Sequence, residues 1–181
     1  MLKREYNITV FSENHIGLLS RITLIFTRRK INIESLTVSE SALPGIFKFT
    51  IVVFCSEDTI RKIVSQIEKV IDVLKAFYLT NDEMIYQEIA LYKVPTEALY
   101  DSDQLEKMVR NSGARILEIT REYTVIEKTG HKEETQDLFE QMKQFKVMQF
   151  IRSGRVALTR DPYERLSEFL KERDALLTNL D

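Results

Sequence analysis

The feature that most constrains this chain is a change in the spacing of its apolar residues across positions 12–41. An alternating pattern, typical of a strand, leads up to a polar turn that begins at residue 12. The apolar residues then recur with the spacing of one helix face: Leu18, Leu19, Ile22, Ile25 and Phe26. From Ile33 they alternate again. The stretch therefore predicts a strand, a tight turn, a helix over about 16–29 and a second strand over about 33–40.

The apolar patterns that follow complete one structural unit. They predict a hairpin turn, a third strand, a second helix and a fourth strand, at 41–45, 46–54, 57–70 and 73–79. The apolar face of the second helix consists of Ile60, Ile63, Val64, Ile67 and Ile71. The order βαββαβ predicts a four-stranded antiparallel sheet with both helices on one side.

The same order of elements recurs in the second half of the chain, without visible sequence identity between the halves. We therefore predict an α+β protein with two βαββαβ domains, at 1–79 and 84–162, joined by the short polar linker 80–83. A final helix is predicted over 163–181, because Asp161 can cap it and Pro162 suits a first helical position. The pattern leaves open whether this helix covers the second domain or docks on a partner.

Composition and charge exclude several classes of protein. A net charge of −2 over 181 residues gives no electrostatic basis for binding nucleic acid or an anionic membrane surface. The first ten residues lack the apolar core of a signal peptide, and no run approaches the roughly 18 apolar residues of a membrane span. Cys55 is the single cysteine and lies in an apolar run, so we expect a buried small hydrophobe. These features predict a cytoplasmic protein.

Residues suited to catalysis are scarce. The two histidines, His15 and His131, both lie in predicted turns and are too few to form a metal site with one cysteine. No phosphate-binding, dinucleotide-binding or nucleophile-elbow motif occurs. Arg152, Arg155 and Arg160 surround a glycine and could bind an anion, but a solvated hairpin or a partner contact is the simpler interpretation. We predict no enzymatic activity, no metal and no cofactor for this chain.

The turn before the first helix is the best candidate for a ligand site. The first amides of a helix lack intrahelical partners and carry partial positive charge, so they can hold a carboxylate. Gly17 would let a ligand approach the backbone, and Asn14 could bind its polar groups. The ordinary alternative is that Asn14 is the helix N-cap and Gly17 only eases the turn.

Longer motifs on both sides of the linker then point to one family. They are NHIGLLSR at 14–21, NIESLTV at 32–38, EIALYKV at 88–94, EKTG at 127–130 and RSGRVALTR at 152–160. In this order, over about residues 4–162, they resemble the small regulatory subunit of acetolactate synthase, also called acetohydroxyacid synthase. The tail beyond residue 162 lies outside the resemblance.

The resemblance implies an N-terminal ACT domain, a small fold that senses amino acids, followed by a second ferredoxin-like domain. In that family two ACT domains pair, and branched-chain amino acids, chiefly valine, bind at the homodimer interface. Carried over by motif, the valine site would combine residues of one chain with two residues of its partner: Asn14, Ile16, Gly17 and Leu18, then Asn32 and Ile33.

The resemblance also implies a role in the biosynthesis of valine, leucine and isoleucine. The small subunit activates a large catalytic subunit, which carries thiamine diphosphate, Mg²⁺ and FAD, and makes it sensitive to feedback inhibition. The alternatives are a stand-alone ACT-type amino-acid sensor that acts on another partner and, thirdly, an enzyme in its own right.

One position departs from the family pattern. Lys30 occupies the place where the family usually has a glycine, which would end the helix in the left-handed conformation. A lysine adopts that conformation at a cost of about 1 kcal/mol or more. The helix exit, and with it the placement of Asn32, is therefore where this chain could differ from its family.

Overall fold

A computed structural model describes residues 2–100, 103–163 and 165–178, with side chains described as far as residue 171 of the last helix. The chain forms two compact units. One comprises Met1–Ile85 together with Ala157–Asp181, and the other comprises Tyr86–Val156. The chain thus leaves its first unit, builds the second and returns to the first. No helix among the described residues is long and apolar enough to cross a membrane.

The first unit has the predicted order of elements. Its strands and helices are β1 (Arg4–Glu13), α1 (Leu18–Arg28), β2 (Ile33–Glu40), β3 (Ile46–Cys55), α2 (Glu57–Ile67) and β4 (Val73–Leu79). The strands lie in the order β2-β3-β1-β4, and every pair of neighbours is antiparallel. The predicted βαββαβ unit with its four-stranded antiparallel sheet is confirmed.

One face of this sheet forms the core with both helices. Ile8 of β1 and Ile51 of β3 pack in a single cluster with Ile22 of α1 and Ile63 of α2, and all four side chains are completely buried. Because alternate residues of a strand point to opposite faces, the two helices must cover the same face. Cys55 is buried in this cluster as a small hydrophobe, as expected.

Two side chains expected in this core lie at the surface instead. Leu19 is 44% exposed, since it lies about 100° around the helix from Leu18 and so beyond the edge of the buried stripe. Ile71 is 77% exposed, because α2 ends at Ile67 and residue 71 belongs to the turn before β4. The buried stripe of α1 is therefore one residue narrower, and α2 one turn shorter, than the apolar spacing predicts.

The second half of the chain repeats the α+β plan. Its elements are β5 (Met84–Pro95), α3 (Glu97–Tyr100), α4 (Asp103–Asn111), β6 (Arg115–Ile119), β7 (Tyr123–Gly130), α5 (Lys132–Met142), β8 (Gln149–Arg152), β9 (Val156–Thr159) and α6 (Arg165–Thr178). The strand order is β6-β7-β5-β8, and β9 also pairs with β5, so the sheet has five strands. The apolar core lies between this sheet and the helices α4 and α5.

A buried tyrosine fixes the centre of the second core. Tyr92 of β5 is completely buried and donates a hydrogen bond from its hydroxyl to the backbone oxygen of Thr135 in α5, at 2.7 Å. Burial raises the pKa of Tyr92 to about 12. The phenol therefore stays neutral and links the sheet to the first turn of the helix.

The segment after β8 returns to the first unit and lies on the sheet face that α1 and α2 leave open. Lys48 of β3 donates a hydrogen bond from Nζ to the oxygen of Ala157 at 2.5 Å, and the Arg165 guanidinium lies 4.8 Å from the ring centre of Phe77. Thr9, which points to this face, is only 2% exposed, and Leu166 of α6 is completely buried. The final helix thus packs with the first unit, and not with the second unit as one of the two sequence-based alternatives had it.

Candidate ligand-binding site

The turn between β1 and α1 leaves a helix end without a side-chain cap. Gly17 is the N-cap residue, with φ 85° and ψ −5°, and no side chain bonds to the first helical amides in the described part of the chain. The Leu18 amide donates to the His15 oxygen at 3.2 Å. Asn14 is therefore not the cap, and the alternative in which it closes the helix is wrong. The first turn of α1 therefore keeps N–H groups that can donate hydrogen bonds to a carboxylate.

The space around this helix end is open. A Cβ built at Gly17 would meet nothing within 4 Å, so a ligand has room beside the backbone. Ile16 is fully exposed and Asn14 is exposed, which places one apolar and one polar side chain next to the free amides. Leu18 is buried in the core and its amide already donates to the His15 oxygen, so the amides available to a ligand are those that follow it in the first turn.

The other two proposed ligand residues lie at the far end of α1. Ile33 begins β2 and packs against the core, while Asn32 is exposed and donates from Nδ2 to Glu34 at 3.0 Å. The helix has eleven residues and is therefore about 16 Å long. One small amino acid cannot span that length, so the turn and the start of β2 do not form one pocket within a single chain.

The exit of α1 has the left-handed geometry that is usual for a glycine, even though a lysine occupies it. Lys30 has φ 54°, in the left-handed region. Its amide donates to Thr27 at 3.0 Å, and the Ile31 amide donates to Phe26 at 3.1 Å. These two bonds form a Schellman motif, the usual glycine-assisted helix ending. The expectation that Lys30 would have to adopt this conformation is confirmed, and β2 begins at the predicted residue.

A residue distant in sequence holds the turn in place. Asp72 precedes β4, and its backbone oxygen accepts the Glu13 amide at 2.9 Å. Its carboxylate lies 3.0 Å from His15 Nδ1 and 2.6 Å from Arg21 Nη2. The hydrogen bond from Arg21, helped by His15, holds the pKa of the Asp72 carboxyl below its usual value. Sequence reasoning missed Asp72, because its contacts span about fifty positions and no local pattern marks it.

The same cluster contains three side chains of metal-ligating type. One ligand atom each from Glu13, His15 and Asp72 lies within 4.8 Å of the other two. However, Arg21 already binds the second oxygen of Asp72, and the His15 imidazole faces the first. The cluster is therefore satisfied as a network of ion pairs and hydrogen bonds.

The arginines that flank Gly154 have an acceptor inside the second unit. Arg152 Nε and Arg155 Nε each lie 3.2 Å from a different oxygen of Glu88, whose side chain is 6% exposed. The Arg155 guanidinium also lies 4.1 Å from the ring centre of Tyr86. The interpretation of this stretch as a solvated hairpin or a partner contact is wrong for these two arginines, because a buried carboxylate pairs with both.

Family comparisons agree with this geometry. Residues 4–75 match a family model described as the AHAS small subunit-like ACT domain. Residues 87–161 match a second model, described as the small subunit of acetolactate synthase. The chain is therefore an ACT-domain protein in which a second α+β unit follows the first.

Individual relatives define the family more closely. The acetolactate synthase small subunit of Bacillus subtilis is 31% identical over 167 residues, which cover 92% of this chain and 95% of that protein. The Mycobacterium leprae small subunit is 32% identical, over 87% and 92% of the two chains. A crystal structure of the small subunit from Thermotoga maritima matches with a TM-score of 0.80 at 28% identity, over 88% of this chain and 99% of that one. The chain belongs to the acetolactate synthase small subunit family, and the motif-based identification is confirmed.

Proposed function

We propose that this chain activates the large catalytic subunit of an acetolactate synthase and makes that enzyme sensitive to inhibition by valine. The family membership of both units supports the subunit role, because a small subunit implies a large one. Thiamine diphosphate, Mg²⁺ and FAD would then belong to the catalytic partner. The proposed location of the complex is the cytoplasm.

The uncapped start of α1 is the observation that carries the effector part of the proposal. A valine carboxylate would accept from the first helical amides beside Gly17, and Asn14 would bind the polar end of the ligand. Ile16, which is fully exposed, would cover the short apolar side chain. The site needs no cationic side chain to hold the carboxylate.

The length of α1 supports a site shared between two chains. Asn32 and Ile33 lie about 16 Å from the turn of their own chain, so they would contact a ligand held by the turn of a second copy. Ile33 is the first residue of β2, and this strand is an edge of the sheet with a free side for pairing. We therefore include a homodimer formed through the ACT domains in the proposal.

Valine would act by shifting a balance between two arrangements of the complex. The small subunit favours the active arrangement of its partner, and valine favours another. A ligand can shift such an equilibrium only by the difference between its affinities for the two states. Stimulation and inhibition are therefore separable properties, and a variant can lose one while it keeps the other.

The test is acetolactate formation by the catalytic subunit of the same organism, with and without this chain, across added valine. We expect stimulation that valine reverses. Stimulation without any valine response would retain the subunit role and reject the effector site. No stimulation, together with binding of valine to the isolated chain, would favour a stand-alone ACT-type sensor.

Gly17→Asp tests the site assignment in the same assay. The space beside Gly17 is open and aspartate tolerates positive φ better than most residues, so the variant should fold. Its carboxylate would repel that of valine, and we expect valine inhibition to disappear while stimulation stays within about twofold of wild type. Gly45→Asp is the matched control, because Gly45 has φ 77° and equally open surroundings in the β2–β3 turn. A fully valine-sensitive Gly17→Asp enzyme would show that the site lies elsewhere.

A further inference from the structure

We propose that Asp72 is the positioning residue of the effector site, which it holds in its open, uncapped arrangement without contacting the ligand. This inference rests on the proposed function, because it concerns the same turn. Asp72 lies neither in the turn nor in the motifs that define the family resemblance. It reaches the site because β4 runs beside β1.

The contacts of Asp72 hold the turn on both sides of Gly17. Before the glycine, Asp72 accepts the Glu13 amide at 2.9 Å and lies 3.0 Å from His15 Nδ1. After the glycine, it accepts a hydrogen bond of 2.6 Å from Arg21, in the first turn of α1. Arg21 also donates to the Ile71 oxygen at 3.4 Å. One residue thus restrains both the end of the strand and the start of the helix.

The backbone of Asp72 is held in a conformation that costs energy. Its φ is 79°, which few residues other than glycine adopt. The other described non-glycine residues with positive φ, Lys30 and Lys146, each follow a helical segment. Asp72 instead precedes a strand, at a point where the register between β1 and β4 shifts after Phe11. A strained backbone conformation of this kind persists where surrounding contacts hold it in place. The contacts that hold Asp72 are made with residues of the turn and of the start of α1.

The charges around the turn give the carboxylate a second role. Arg21 would place a positive charge in the first turn of a helix, where the helix dipole disfavours it. Asp72 pairs with that guanidinium at 2.6 Å and neutralises its charge. Without the carboxylate, Arg21 and residues 13–17 would sample many arrangements, and binding would have to order them at the expense of affinity.

The experiment compares Asp72→Asn and Asp72→Gly with wild type in the reconstituted enzyme. Asparagine keeps the shape and tolerates positive φ, and glycine relieves the backbone strain, so both variants should fold. We expect the valine concentration for half-inhibition to rise about tenfold in both, with stimulation unchanged, since only the preorganisation of the site is lost. Glu68→Gln is the control, because it removes a nearby exposed ion pair with Lys75 at 3.5 Å and should change neither quantity.

A second measurement does not depend on the catalytic subunit. Amide hydrogen exchange of residues 13–21 in the full-length chain, without valine, should be faster in Asp72→Asn than in wild type, while exchange in β3 stays the same. Unchanged exchange in the turn would overturn the inference, whatever the enzyme assay gives. Wild-type valine inhibition with an unshifted midpoint in both Asp72 variants would also overturn it, and would leave the proposed function standing. A wild-type complex that does not respond to valine would overturn both.

Discussion

Arg21, in the first turn of α1, donates a hydrogen bond of 2.6 Å to Asp72, which lies 51 positions further along the chain. The pair joins the start of the helix to the residue that leads into β4. Arginine at a helix N-terminus is unfavourable unless an anion neutralises it, and Asp72 supplies that anion. The geometry of the candidate ligand site therefore depends on a long-range ion pair as well as on its own turn.

The stability supplied by Asp72 should depend on pH in one direction. Its folded-state pKa lies below the ordinary value, so ionised Asp72 favours the folded state. This contribution is complete above the unfolded pKa of about 3.9 and is lost as the pH falls through the lower folded value. We expect the difference in Tm between wild type and Asp72→Asn to be constant from about pH 7 to pH 5 and to shrink below about pH 4. A difference that grows in acid would contradict the assignment.

Replacement of Lys30 by glycine should stabilise the protein without changing its regulation. Lys30 already has the left-handed conformation of a glycine cap, with φ 54°. Glycine would adopt it without the steric cost, so we expect the free energy of unfolding to rise by about 1 kcal/mol in urea denaturation. Because the helix exit is unchanged, half-inhibition by valine should stay within about twofold of wild type. Lys146→Gly, at φ 57° in the second unit, should give a similar stabilisation.

A larger change in valine response for Lys30→Gly than for Lys146→Gly would show that the lysine side chain itself acts on the site. A lower free energy of unfolding for Lys30→Gly would mean that contacts of the lysine side chain stabilise the protein by more than its positive φ destabilises it.

Removal of the Ser12 hydroxyl should also stabilise the chain. Ser12 is completely buried at the end of β1, and its Oγ has no hydrogen-bond partner among the described residues. An unpaired buried hydroxyl costs about 1–3 kcal/mol, so Ser12→Ala should raise the Tm measured by calorimetry. Thr96→Val is the contrasting variant, because Thr96 is equally buried but donates to the Thr120 oxygen at 2.9 Å. That variant should lower the Tm, and a fall in both would show that the Ser12 hydroxyl is satisfied.

Loss of the Glu88 charge should destabilise the second unit strongly. Glu88 pairs with Arg152 and Arg155 at 3.2 Å, and the Arg155 side chain is only 5% exposed. Glu88→Gln would remove a buried carboxylate charge that two arginines share, at a cost of about 3–5 kcal/mol in chemical denaturation. Glu140→Gln removes an exposed contact with Lys143 and should cost much less, because solvent screens that pair. Equal losses in the two variants would exclude a structural role for the buried pairing.

The periodic elements were predictable from sequence because local patterns encode them. The alternation through Ile8 and Val10, and the four-residue spacing of Leu18, Ile22 and Phe26, describe surfaces that are buried as expected. The error in α2 lies at the end of the element. Ile71 continues the helical spacing of α2 although the helix has already ended at Ile67. Periodicity alone cannot place an end, since the stop depends on the turn that follows.

The candidate site was predictable only in part, for a related reason. The turn and its glycine are visible as a local motif, and so is the helix exit at Lys30. Asp72 and the pairing of Glu88 with two arginines are invisible, because they arise from neighbouring strands that are distant in sequence. Side chains brought together by sheet pairing leave no periodic signal of their own.

The return of the chain at Ala157 has a consequence for synthesis. The sheet of the first unit is complete in sequence by Leu79, yet the residues that cover its second face follow Tyr86–Val156. At about 5–20 residues per second, translation of that intervening unit takes on the order of 4–14 s. During this interval the face around Thr9 and Phe77 is bare on the nascent chain. A ribosome that stalls within the second unit would therefore hold a nascent first unit whose strands can pair but whose open face remains available to chaperones or to aggregation.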